Sequence, residues 1–310
     1  MSLWSSDWYR PEGKDMKGAL RIAFPVGILV PFLAWSQISN IVVTNAASFQ
    51  AGMPAKGSIG TIFCTGLKVT GVVSSTSLPL TTSLAGVSVT VDGVPAPLFA
   101  VADLGGYQQI NFQVPVQILY GTLVVSQNGA QGSVWVTTNP DHAGDFFRLG
   151  STPFGVFQHA DYSLVTPDNP AKAGETIIGY ATGLPTATPE VPTGQSAPMS
   201  PLSYVPQYYS SSNIERIGLV IDSTFWLFDE VPASGNNTTG LLPIPFMGLA
   251  PGTVGVFQIN FMLPQGVASG DVSVTLVEEY CALPPKYPRS CLDPAQSGFT
   301  YSQPVLVPVR

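Results

Sequence analysis

Residues 87–99 read VSVTVDGVPAPLF, and this stretch decides the fold class. Its first three valines alternate with hydroxyl residues, and a period of two is typical of a strand with one buried face. Asp92 and Gly93 follow at once, a pair that favours the tight turn of a β-hairpin. The chain then returns through prolines, which suit an edge strand. The stretch therefore predicts a hairpin in an antiparallel sheet.

Two segments of the chain recur in the same order. Residues 57–67 (GSIGTIFCTGL) match 174–184 (GETIIGYATGL), and residues 109–115 (QINFQVP) match 258–264 (QINFMLP). Such self-similarity indicates tandem homologous domains, the second longer between the two landmarks. Short strand-like runs separated by Gly, Pro or Asn indicate a sandwich or a barrel in each. The mid-strand asparagine of each QINF segment is expected to hydrogen-bond a neighbouring loop backbone.

The composition excludes several classes of protein. The 310 residues include 31 Gly and 29 Pro, and only 10% are charged, which argues against a coiled coil or a helical bundle. Apolar residues make up 45% of the chain, enough for a substantial core. The net charge of −7 would repel a phosphate backbone, so nucleic acid is not an expected partner.

The N-terminal region has the pattern of an export signal. Lys17 and Arg21 precede an uncharged, largely apolar run over residues 22–35, which ends on a small-x-small cleavage pattern. We therefore predict a signal peptide within residues 1–36, cut after Ser36, and a secreted or cell-surface bacterial protein without a membrane span after cleavage. An uncleaved membrane anchor is the alternative, although the run is shorter than the ~20 residues that a spanning helix needs.

The chain has three cysteines, and an exported protein meets an oxidising compartment in which thiols pair. Cys281 and Cys291 enclose a short proline-rich segment, and we predict a disulfide between them that closes a local loop or hairpin. Cys64 lies in an apolar run and is predicted to be a buried strand thiol. Because no CxxC pair exists, the cysteines do not indicate a metal site.

Few residues have the chemistry of an active site. His142 and His159, with Asp141, Asp145 and Asp161, are of types that ligate metals, but nothing in their spacing fixes their distances. We interpret them as solvated turn residues. The sequence contains no nucleophile elbow, no zinc-protease motif and no phosphate-cradling loop. We therefore predict no catalytic residue, no metal and no cofactor, and a metal-dependent hydrolase is the least favoured alternative.

Aromatic residues in the longer second copy are candidates for binding. Tyr208 and Tyr209 lie in one polar stretch, and Trp226 and Phe228 lie in another. Exposed aromatic rings at the edge of a sandwich stack on sugar faces or fill a pocket of a protein partner. The competing interpretation is that these rings cap the core and cover a loop.

Several segments together resemble one known family. They are residues 45–49 (NAASF), 57–63, 78–91, 93–99, 109–115, 159–170, 174–184 and 191–194 (VPTG). Their pattern resembles the uncharacterised C-terminal module of secreted soil-bacterial proteins, which is similar to IPT/TIG domains. The resemblance spans most of residues 40–280 and implies two tandem immunoglobulin-like β-sandwiches and export, but little about activity. One departure is Tyr162, which follows Asp161 where the family favours a glycine.

We therefore expect an all-β chain with four segments. They are a signal peptide with its preceding residues (1–36), a first immunoglobulin-like sandwich (37–138), a linker (139–153) and an enlarged second sandwich (154–310). The prolines and glycines of the linker predict modest hinge freedom.

The expected function is non-catalytic. We predict a secreted or cell-surface structural or adhesion protein that binds a protein or glycan partner through its sheets and loops. The alternative is a carbohydrate-binding module that uses the aromatic residues of the second domain. Residues 38–44 (ISNIVVT) are further expected to form a free N-terminal strand that pairs with the edge of a neighbouring copy.

Overall fold

The computed structural model describes residues 37–138, 144–206, 208–209, 213–228, 241–242, 244–282 and 297–310. Within these ranges every regular element is a β-strand. No helix long and apolar enough to cross a membrane occurs in the parts of the chain that are described. The predicted signal peptide, Asp141, His142 and Cys291 lie outside them.

The first sandwich has ten strands. They are β1 (Ser39–Asn45), β2 (Ile59–Thr65), β3 (Val72–Ser74), β4 (Ser83–Leu84), β5 (Val87–Val91), β6 (Val94–Ala96), β7 (Leu98–Asp103), β8 (Gln108–Gln113), β9 (Tyr120–Gln127) and β10 (Ala130–Thr137). One sheet has the order β1-β2-β8-β7-β3, and the other has β10-β9-β5-β4 with β6 beside β5. The predicted hairpin is β5 and β6, and Asp92 and Gly93 adopt the positive φ angles that its turn requires, 50° and 78°.

The second sandwich repeats this arrangement. Its strands are β11 (Asp145–Phe146), β12 (Phe157–Gln158), β13 (Thr176–Thr182), β14 (Tyr208–Tyr209), β15 (Asn213–Ile221), β16 (Thr224–Phe228), β17 (Leu241–Leu242), β18 (Phe246–Leu249), β19 (Phe257–Met262), β20 (Gly270–Ala282), β21 (Ser297–Tyr301) and β22 (Val305–Val309). One sheet has the order β11-β13-β19-β18 with β12 beside β13. The other has β17-β16-β15-β20-β21, with β14 beside β15 and β22 beside β20.

The strand order identifies both sandwiches as immunoglobulin-like. In the first, β1-β2-β8-β7 faces β10-β9-β5, which corresponds to the ABED and GFC sheets of a constant-type immunoglobulin domain. In the second, β11-β13-β19-β18 faces β21-β20-β15 in the same order. The predicted fold class, all-β with two tandem immunoglobulin-like sandwiches, is confirmed.

Each sandwich encloses its own apolar core. In the second, Phe157 stacks edge-on against Phe261 with ring centroids 6.0 Å apart, and Phe146 packs beside both. In the first, Cys64 is 1% exposed among the core residues. Burial raises the pKa of this thiol to about 11. Cys64 is therefore the buried strand thiol that the sequence predicted, and it is held in its unreactive protonated form.

The two QINF segments share a hydrogen bond within the strand. Gln109 Nε2 donates to Asn111 Oδ1 at 2.9 Å, and Gln258 Nε2 donates to Asn260 Oδ1 at 2.9 Å. Asn111 also accepts a hydrogen bond from the Thr61 hydroxyl of the neighbouring strand. The prediction that these asparagines hydrogen-bond a loop backbone is therefore wrong, because strand side chains already supply donors to both amide oxygens.

The predicted free N-terminal strand is built into the first sandwich. It is β1, which pairs with β2, and the preceding Ile38 is 1% exposed. A Cβ atom at Gly132 of β10 would come within 2.1 Å of the Ile38 carbonyl oxygen, so the chain approaches both sheets here. Burial of Ile38 and Val43 in the core of the first sandwich removes apolar surface from water and so stabilises the strand within its own domain. On the outer side of β1, residues 50–52 already pair with Val43 to Asn45. The part of this edge that is open to another copy is therefore limited to its first residues, 39–42.

Candidate functional site

The two sandwiches meet across an apolar contact. Buried side chains from both domains form one cluster, with three half-buried rings packed around it. Its members are Ala46, Ile59 and Phe99 from the first sandwich and Phe147, Tyr180, Ala250 and Val256 from the second. Polar groups that are buried at the edge of this cluster need hydrogen-bond partners, and the opposite domain supplies them.

Thr182 joins the two domains at the end of β13. Its buried hydroxyl accepts a hydrogen bond from the Ile59 amide at 2.8 Å and donates one to the Gly255 carbonyl at 2.9 Å. The matching residue of the first repeat, Thr65, is partly exposed and hydrogen-bonds Ser39 instead. The Thr-Gly-Leu motif therefore lies at the domain interface in the second copy and near the protein surface in the first.

Asp145 forms a second link between the domains. The side chain is 1% exposed, and its Oδ2 accepts a hydrogen bond from the Ser48 hydroxyl of the first sandwich at 2.6 Å. Its Oδ1 accepts one from the Gln303 amide at 2.8 Å. The interpretation of Asp145 as a solvated turn residue is wrong, because this carboxyl group fixes a loop from each domain.

The VPTG segment of the second sandwich reaches across the interface. The Gly194 amide donates to Gln113 Oε1 at 2.6 Å, and the Gly194 carbonyl accepts from the Leu80 amide at 2.8 Å. The Thr193 hydroxyl accepts from the Val116 amide at 3.1 Å. With the bonds of Thr182 and Asp145, these contacts argue against the hinge freedom expected of the join.

A small cleft of about 20 Å³ lies between the sandwiches beside these bonds. Its walls include Lys56 and Gln113 from the first domain and Glu190, Gln195 and Thr253 from the second. In the ranges that the structure describes, no three His, Cys, Asp or Glu side chains come together in a way that would hold a metal ion.

His159 is part of a hydrogen-bonded turn. Its Nδ1 lies 2.5 Å from Glu175 Oε1 and its Nε2 lies 3.2 Å from the Asn169 carbonyl oxygen. Both partners accept, so the doubly protonated imidazolium satisfies both contacts. Partial burial lowers the pKa of His159, but the hydrogen bonds and the charges of Glu175 and Asp161 outweigh it and raise the pKa above its usual 6.5.

Asp161 and Tyr162 form the exposed tip of the same turn. The amide and the hydroxyl of Ser163 donate to Asp161 Oδ1, and these bonds lower the pKa of the carboxyl group. Asp161 is thus the solvated turn residue that the sequence predicted. Tyr162 has a φ of 65°, in the left-handed region that a side chain other than glycine seldom adopts.

The raised pKa of His159 predicts a pH-dependent stability. A group whose pKa is higher in the folded state than in the unfolded state stabilises the fold when it is protonated. For a histidine this contribution is complete below the unfolded pKa of about 6.5, and it is lost as the pH rises through the folded pKa. We expect the difference in unfolding free energy between the wild type and His159→Gln to be largest at pH 6 and to narrow towards pH 9. Urea titrations at several pH values measure it, and a gap that widens with pH would contradict the assignment.

The predicted binding residues of the second domain lie along one edge of β15. Tyr208 and Tyr209 belong to β14, whereas Trp226 and Phe228 belong to β16. Both strands pair with the side of β15 that is turned away from β20. The backbone therefore brings the two predicted groups to the same sheet edge. The structure does not describe the side chains of these four residues, and their role in binding stays a prediction.

The predicted disulfide also stays a prediction. The backbone of Cys281 lies in β20, where it pairs with Ser297 of β21, while Cys291 falls outside the described residues.

An exposed aromatic pair on the first sandwich escaped the sequence analysis. Trp135 of β10 and Tyr120 of β9 are 65% and 63% exposed, with ring centroids 6.2 Å apart and planes at 31°. A signal was present, since Trp135 occupies the outward phase of an alternating strand in which Val136 points into the core.

No known family model matches the sequence, and no curated protein matches it. The D0-D1 domain of intimin is 8% identical, with 87% of this chain and 98% of that chain covered and a TM-score of 0.20. The tandem Ig repeats of Dlar are 12% identical, with 88% and 97% covered and a TM-score of 0.19.

Both domains are immunoglobulin-like sandwiches. The resemblance noted from the sequence holds at this level of the fold.

Proposed function

We propose that this chain is a non-catalytic structural or adhesion protein of the cell surface, in which two sandwiches form one stiff unit that presents its sheet faces to a partner. The observation that carries the proposal is the buried hydrogen bonding of Thr182 across the domain interface. Two domains fixed to each other hold their outer surfaces at a constant separation, which suits a presenting scaffold.

The reactive side chains of the described residues support a non-catalytic role. Asp145 is engaged between the domains, and His159 is engaged in its own turn. The Cys64 thiol is buried with a raised pKa. Each of these groups is held by structural partners or by the core, which is the opposite of an exposed and activated catalytic group.

The location and the partner are part of the same proposal. The export pattern of residues 1–36 and the predicted disulfide between Cys281 and Cys291 suit an extracellular protein. The partner is a protein or a glycan, and self-association through the outer edge of β1 belongs to the same proposal. A carbohydrate-binding module is the second candidate, favoured by the common sheet edge of β14 and β16.

A combined binding and turnover assay tests the proposal. The full purified chain is applied to arrays of glycans and extracellular proteins, and in parallel to ester, glycoside and peptide substrates. We expect saturable binding on an array and no product formation. Product formation that increases in proportion to protein concentration, by an activity that co-purifies with the chain, would overturn the non-catalytic assignment.

A further inference from the structure

The rings of Tyr120 and Trp135 form one continuous exposed surface, which we call the aromatic platform. In the pairing of β9 with β10, Trp135 lies opposite Thr122, and Tyr120 lies opposite Thr137. The two rings are therefore diagonal neighbours on the outer face, and their planes are inclined to each other by 31°. Exposed rings that contact each other in this way offer a larger apolar surface than two isolated aromatics.

Polar, uncharged groups surround the platform. The exposed outward positions of the two strands carry hydroxyl or amide side chains, namely Thr122, Gln131, Ser133 and Thr137. Asp92 lies beside Thr122, because the Asp92 amide donates a hydrogen bond to the Thr122 carbonyl oxygen at 2.9 Å. Asp92 is exposed, so its carboxyl oxygens are available as hydrogen-bond acceptors.

This composition does not suit a dry protein interface. A stable protein–protein contact buries about 800 Å² on each partner, with an apolar centre that is depleted in serine. At the platform the two rings are joined only by the exposed Leu119 beside Tyr120 and the half-buried Val124 as further apolar surface. The neighbouring hydroxyls would need new partners once water left. A second copy of this chain would bring the same unsatisfied hydroxyls to the contact.

A sugar chain matches the same set of groups. The apolar faces of pyranose rings stack on aromatic rings, and sugar hydroxyls donate to a carboxyl group and exchange hydrogen bonds with threonine and serine. An acidic polysaccharide would be repelled by Asp92 and by the net charge of −7. The chemistry of the site therefore selects a neutral sugar.

We infer that the aromatic platform binds a neutral polysaccharide, with the sugar rings on Tyr120 and Trp135 and their hydroxyls directed to Asp92 and Thr122. This inference rests on the proposed adhesive role and names its partner class. The platform lies on the first sandwich, apart from the aromatic residues of β14 and β16 in the second.

Depletion isotherms on insoluble cellulose, chitin, xylan and mannan test this inference with the full chain. We expect saturable binding to at least one of them, weakened at least ten-fold in Trp135→Ala and several-fold in Tyr120→Ala. The matched control is Tyr162→Asn, which removes a ring that is 64% exposed on the second sandwich at a positive φ that asparagine tolerates. Circular dichroism melts confirm that each variant is folded.

The outcomes separate this inference from the proposed function. No binding to any of the four polysaccharides, unchanged binding by Trp135→Ala, or an equal loss in Tyr162→Asn would overturn the platform. Sedimentation that shows a dimer lost in Trp135→Ala would also overturn it, in favour of a second copy. Capture of an extracellular protein by Trp135→Ala would leave the adhesive role standing, whereas release of sugar products would contradict the proposed function itself.

Discussion

Replacing Asp145 with alanine should lower the free energy of unfolding by about 3 kcal/mol, because hydrogen bonds to a carboxyl group contribute about 1.5–3 kcal/mol each. The Ser48 hydroxyl and the Gln303 amide would lose their acceptor in a region closed to water. A buried donor without a partner costs its full desolvation energy. Urea titration followed by circular dichroism measures the change.

Two variants control this prediction. Asp145→Asn keeps an oxygen for the Gln303 amide and supplies an NH₂ that donates to the Ser48 oxygen, so we expect a loss of only about 1 kcal/mol. Asp271→Ala removes an exposed carboxyl group from β20 and should change stability by less than about 0.5 kcal/mol. Equal stabilities of Asp145→Ala and Asp271→Ala would show that the link does not hold the domains.

Replacing Thr182 with valine should lower the free energy of unfolding by about 2 kcal/mol. Valine has nearly the shape of threonine, so the packing is kept while the Ile59 amide and the Gly255 carbonyl lose their partner. The internal repeat offers a matched control, because Thr65→Val makes the same change at the equivalent position of the first copy. Thr65 lies nearer the solvent, and we expect a change within about 0.5 kcal/mol.

Hydrogen exchange distinguishes a local effect of Thr182→Val from a global one. The amide of Ile59 should exchange faster in the variant, since its acceptor is gone, while the amides of β9 and β10 keep their wild-type protection. Similar losses in Thr182→Val and Thr65→Val, without faster exchange at Ile59, would contradict the role assigned to Thr182.

Features set by neighbouring residues could be predicted from the sequence. The hairpin around Asp92 and Gly93 follows from a short alternating run and its turn pair. The burial of Cys64 follows from the apolar residues beside it. In both cases the deciding forces act within a few positions of the chain, so a period and a turn signal suffice.

The domain interface could not be predicted, because its partners are distant in sequence. Ser48 is 97 residues from Asp145, Gln303 is 158 residues away, and Ile59 is 123 residues from Thr182. The two Thr-Gly-Leu motifs are identical in sequence, so the motif alone does not distinguish the copy that faces the other domain. Trp135 is different, because its place in an alternating strand already indicated an outward ring.

Differential scanning calorimetry of the full chain tests most directly whether the two sandwiches act as one stiff unit. Domains coupled through a buried interface unfold together, whereas domains joined by a hinge unfold separately. The interface bonds predict one transition, with equal calorimetric and van't Hoff enthalpies, that splits or broadens in Asp145→Ala. Two separate transitions in the wild type, unchanged in that variant, would contradict the account.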